Sequence, residues 1–138
     1  MKRILSFIFL GAIMAMPIGA KQKSDTTGAP AITFAETKYD FGTIKEKNGW
    51  VEHSFSYTNT GTAPLAIVTV SASCGCTKPE FDAKPLAPGK KAKIKVRFTP
   101  EGTRGEFSRK VTVRTNVKGR DGKVVLNISG VVIPKSQQ

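Results

Sequence analysis

From residue 31 onward the sequence alternates. Ala92, Ile94, Val96 and Phe98 take every second position of one run while Lys91, Lys93, Lys95 and Arg97 take the others, which is the period of a strand with one buried face. Val51, His53, Phe55 and Tyr57 alternate in the same way with Glu52, Ser54, Ser56 and Thr58. β-Branched and aromatic runs predict strands over 32–36, 39–44, 50–59, 65–71, 91–98, 107–115 and 124–132. Turn residues separate them, among them Asn59-Thr60-Gly61, Pro88-Gly89 and Asp121-Gly122. No segment past residue 30 has helical period. The spacing predicts an all-β fold, a sandwich of two antiparallel sheets with about seven strands, occupying 31–134 as one domain without internal repeats.

The first thirty residues follow another pattern. Lys2 and Arg3 precede an apolar stretch over 4–16, Pro17 breaks it, and Ile18, Gly19 and Ala20 follow. This is the layout of a secretory signal peptide over 1–20. The apolar run is shorter than the roughly 20 residues that span a bilayer, and no Cys at its end invites a lipid. Residues 21–30 are small and polar and read as a flexible leader. The expectation is an exported chain, periplasmic or secreted, with no transmembrane span left after cleavage.

Charge sharpens this picture. The chain of 138 residues carries 22 Lys and Arg against 10 Asp and Glu. Removing 20 residues from 138 leaves 118, and without Lys2 and Arg3 there are 20 basic against 10 acidic residues, a net charge of +10. Residues 90–123 hold twelve basic and three acidic side chains. The row Lys91, Lys93, Lys95 and Arg97 is therefore a candidate anionic-surface site, for lipid or acidic glycan, and the signal segment argues against nucleic acid as the natural partner. The competing reading is a solvated row that resists edge pairing.

The chemical inventory is thin: two Cys and one His. A four-ligand zinc site cannot be made from them, and any Ser-His-Asp triad would need His53, so no catalytic residue and no cofactor is expected. Cys74-Gly75-Cys76 lies in a loop between strands. In an oxidising compartment the pair can close into a ring through the flexible Gly75, and closing a three-residue loop is worth at most about 1.6 kcal/mol. Four readings stand: a local structural disulfide, a two-thiolate site for a soft cation such as Cu(I), a thiol-redox element, or two free thiols. A thioredoxin-type centre is disfavoured, since it needs two intervening residues and a strand-helix setting. His53, in the apolar row, is expected to be a hydrogen-bonded core or subcore residue, and a third ligand only if the fold sets its strand beside the Cys loop. Asp40-Phe41-Gly42 spells a kinase signature that a small all-β chain without a phosphate loop cannot use. Asn127-Ile128-Ser129 is a formal glycosylation sequon inside a predicted strand and is read as chance.

Taken in order, Tyr39-Asp40-Phe41-Gly42-Thr43-Ile44, Phe55, Asn59-Thr60-Gly61, Pro64-Leu65, Cys74-Gly75-Cys76-Thr77, Ala87-Pro88-Gly89, Gly105-Glu106-Phe107, Asn116 and Gly130 make a sequence that resembles the exported bacterial family catalogued as domain of unknown function 1573, over about 32–132. The resemblance implies an immunoglobulin-like sandwich similar to major sperm protein and Hydin-type domains, which act as binding modules. The expected function is an exported, non-enzymatic binding or scaffolding module of the cell envelope, holding a protein or an anionic surface. The alternative is a copper-binding or thiol-redox protein acting through Cys74 and Cys76.

Overall fold

In a computed structural model the described residues are 28–137. The expected signal peptide, and the leader up to residue 27, lie outside them. Eight strands form: β1 (Ile32–Phe34), β2 (Lys38–Lys45), β3 (Val51–Asn59), β4 (Ile67–Ala72), β5 (Thr77–Glu80), β6 (Lys91–Phe98), β7 (Gly105–Thr115) and β8 (Lys123–Ile133). They make two four-stranded sheets, ordered β1-β3-β6-β5 and β2-β8-β7-β4. With strands lettered in chain order and β2 taken as an extra first strand, this is the A-B-E-D and C-F-G arrangement of an immunoglobulin-like sandwich.

Three features depart from the sequence-based expectation. The short strand β5 was not predicted, because Thr77 is its only buried residue and Pro79 sits within it. Pro is tolerated there because β5 is an edge strand. Trp50 lies just before β3, and Leu65 lies outside β4, joined to Leu86 by an isolated bridge. Finally, β2 pairs with β8 in parallel, so the sandwich is antiparallel in all pairs but one. The chain crosses from one sheet to the other between β1 and β2, which turns β2 parallel to the last strand.

The alternating rows meet between the sheets. Phe55, Ile94, Val96 and Phe98 from one sheet face Val111, Val113, Leu126 and Ile128 from the other, all fully buried. Phe98 and Phe107 stack at 4.1 Å between centroids. Asn59 is buried with every polar atom occupied: its Nδ2 donates to the carbonyls of Ala63 at 2.8 Å and Leu86 at 2.9 Å, and its Oδ1 accepts from the Gly61 N–H at 3.0 Å. Gly61 is needed for space, since a Cβ there would stand 2.3 Å from the Ala29 carbonyl oxygen. Thr62 donates its N–H to that same oxygen at 2.9 Å, and Ala29 donates to Thr62 Oγ1 at 3.2 Å. Contact with the domain thus begins before the expected start at Ala31. Asp40-Phe41-Gly42 is a strand irregularity: the register with β8 shifts between Asp40 and Thr43, Asp40 Oδ1 accepts the Gly42 N–H at 2.8 Å, and Gly42 has φ +67°, the left-handed region that favours glycine.

Candidate functional site

The cationic row of β6 lies on the outer face of its sheet, and the register of β3 decides what stands beside it. Thr58, Ser56, Ser54 and Glu52 lie across from Lys91, Lys93, Lys95 and Arg97 in that order. On the other side β5 sets Glu80 beside Lys95 and Lys78 beside Arg97. Glu52 therefore receives both Arg97 at 3.2 Å and Lys95 at 3.7 Å, and Lys95 also reaches Glu80 at 4.0 Å.

The row is therefore not uniform. Lys95 and Arg97 are only partly exposed and ion-paired, while Lys91 and Lys93 are exposed and have no carboxylate within salt-bridge distance among the described residues. The idea that the row guards a sheet edge also fails, because β6 is an inner strand. The free charge thus concentrates at the Lys91 and Lys93 end, among the hydroxyls of Ser56 and Thr58. At the other end the Arg97 guanidinium lies 4.1 Å over the Trp50 ring, which is 55% exposed. A shallow, open depression of about 480 Å³ lies between Lys93 and Lys95 and the segment 80–83.

At one end of the sandwich Cys74 and Cys76 are joined as a disulfide with their Cα atoms 5.3 Å apart. The loop is pinned on both sides. Ser73 donates its N–H to the Lys110 carbonyl at 2.9 Å and accepts the Lys110 N–H on Oγ at 3.1 Å, and the Cys76 carbonyl accepts the Thr99 N–H at 2.9 Å. Cys76 packs against the core cluster. The Thr77 hydroxyl, on a buried residue, lies 3.6 Å from Cys74 Sγ and 3.9 Å from Cys76 Sγ. Arg109 Nε donates to Cys76 Sγ at 3.4 Å. Sequence reasoning missed Arg109, although the signal was present: it occupies the inward row with Phe107, Val111 and Val113.

His53 Nε2 donates to Glu36 Oε1 at 2.6 Å, and the ring stacks on Tyr39 at 3.5 Å and meets Phe55 edge-on at 4.9 Å. The fold engages His53 there instead of bringing it to the cysteines: no group of three or more His, Cys, Asp or Glu suited to a metal ion forms among the described residues. Asn127 of the sequon lies within β8 and accepts from Ser108 Oγ at 3.0 Å. Among the described residues no helix is long and apolar enough to cross a membrane.

Residues 32–132 match the family described as Protein of unknown function (DUF1573), and the chain belongs to it. No curated protein matches the sequence. Among solved structures it is similar to a Porphyromonas gingivalis protein of unknown function, with TM-score 0.65, 12% identity, and 74% of this chain against 46% of that one. It thus spans less than half of that protein's length. It is also similar to PapD-like domain 7 of human CEP192, with TM-score 0.62 and 12% identity over 96% of this chain and 99% of that domain. The secreted serine protease VesC of Vibrio cholerae matches with TM-score 0.56 and 14% identity, over 74% of this chain but 23% of the protease. At these identities the likeness is one of fold.

Proposed function

We propose that this DUF1573 member is an exported, non-enzymatic binding module whose β3-β6-β5 face attaches to an anionic surface of the cell envelope. The observation that carries the reading is the uneven neutralisation of the row: Glu52 and Glu80 tie down Lys95 and Arg97, whereas Lys91 and Lys93 keep their charge for a partner. Trp50, exposed and stacked under Arg97, adds an amphipathic ring at the rim of the same face. The fold shared with PapD-like domain 7 of human CEP192 is consistent with a binding module. Each cation engaged at an anionic membrane is worth about 1 kcal/mol. Binding should therefore be measurable on vesicles containing phosphatidylglycerol and absent on phosphatidylcholine alone. It should fade near 1 M salt, where the screening length is about 3 Å. Equal binding to both vesicle types would refute the reading.

A further inference from the structure

We infer that the Cys74–Cys76 disulfide is a thiol-exchange site, with Cys74 as the sulfur attacked by an external dithiol and Cys76 as the leaving thiolate held by Arg109. The two sulfurs stand in different surroundings. The Arg109 guanidinium donates to Cys76 Sγ at 3.4 Å, and Arg109 is further held by donation from its Nη1 to the Ser108 carbonyl at 3.1 Å. A fixed cation beside one sulfur favours its thiolate and makes that sulfur the better leaving group. The Thr77 hydroxyl lies near both sulfurs, 3.6 Å from Cys74 Sγ and 3.9 Å from Cys76 Sγ, so the asymmetry comes from Arg109. Arg109 is half-buried in the inward row of β7, where a Cys76 thiolate would pair with its charge.

Electrons and atoms balance as follows. A thiolate of the dithiol attacks Cys74 Sγ, the Cys74–Cys76 bond breaks, and its electron pair leaves on Cys76 beside Arg109. The second thiol of the dithiol, deprotonated, then attacks the external sulfur of the mixed disulfide. The dithiol departs as a disulfide, and Cys74 leaves as a thiolate that takes up a proton. Two electrons pass to the cysteine pair. The pins at Ser73–Lys110 and Cys76–Thr99 keep the two thiols adjacent, so the pair can close again when an oxidising disulfide is supplied.

The test uses the purified protein, reduced for alkylation and oxidised for the exchange reactions. Iodoacetamide alkylation followed across pH by peptide mass should label Cys76 first, with an apparent pKa at least one unit below the usual value of about 8.5. The Arg109→Gln variant should lose that preference and be reduced by dithiothreitol several-fold more slowly, and Arg109→Lys should recover part of both. Reduced glutathione added to the oxidised protein should be trapped on Cys74. Indistinguishable alkylation of the two wild-type thiols at ordinary pKa would overturn the inference, and this comparison stands even if Arg109→Gln does not fold. So would an unchanged reduction rate in a folded Arg109→Gln protein.

Discussion

The Glu52 carboxylate holds the Arg97 guanidinium at 3.2 Å across the β3-β6 pair, while the other side of that guanidinium covers the Trp50 ring at 4.1 Å. One carboxylate thus neutralises the end of the face where the exposed Trp50 ring lies. Replacing it should release Arg97 and leave Lys95 with Glu80 alone, at 4.0 Å. Glu52→Gln is expected to change stability by no more than about 1 kcal/mol, as partly exposed ion pairs do. It should tighten binding to phosphatidylglycerol vesicles by about 1 kcal/mol or more, read as at least a several-fold gain in co-sedimentation. No gain would mean that Lys95 and Arg97 do not face the partner.

Asn59 makes a different prediction, about folding. It is the buried polar group that joins the end of β3 to Ala63, Leu86 and Gly61. Asn59→Leu fits the space poorly and leaves the Ala63 carbonyl and the Gly61 N–H without partners, while the Leu86 carbonyl keeps the Leu65 N–H, so a loss of about 2 to 4 kcal/mol is expected in urea unfolding. A loss under about 1 kcal/mol would show that water replaces the side chain.

These two residues mark what could and could not be read from the sequence. Alternation in 51–58 and 91–98 placed both rows of β3 and β6 on their correct faces, and the turn residues Asn59-Thr60-Gly61 marked the turn after β3. What alternation lacks is register. It could not set Glu52 opposite Arg97, pair β2 with β8 in parallel, or reveal β5, which has one buried residue to signal it. The cysteine pair was legible as chemistry, but its asymmetry depends on a guanidinium that comes from β7, far along the chain and paired with β4.

Acid and alkali should act at separate places. Glu46 accepts the N–H of Lys135 at 2.8 Å and of Gly102 at 3.3 Å, which hold its carboxyl below its ordinary 4.5. Its contribution is complete above 4.5 and is lost as pH falls through the lowered folded value. Glu46→Gln should therefore lose less of its urea midpoint than the wild type does on going below that pH. Burial, and then Asp82, pushes the Tyr57 phenol above its ordinary 10.0, so its contribution is complete below 10.0 and is lost as pH rises through the raised value. Tyr57→Phe should flatten the alkaline limb only.

The disulfide should matter little to folding. A Cys74→Ser, Cys76→Ser double variant is expected to lose no more than about 1 to 2 kcal/mol, the entropy of a three-residue loop. A loss of about 4 kcal/mol would make the bridge a principal support of the β4-β5 end.

Charge reversal at the free end of the row tests the binding reading most directly. Lys91→Glu with Lys93→Glu should abolish low-salt attachment to phosphatidylglycerol vesicles. Arg114→Glu with Lys123→Glu, an exposed pair in register on the opposite sheet, changes net charge by the same amount and should leave most attachment in place. Equal loss in both double variants would show that net charge alone drives attachment, and full retention in the first would show that this face is not the binding surface.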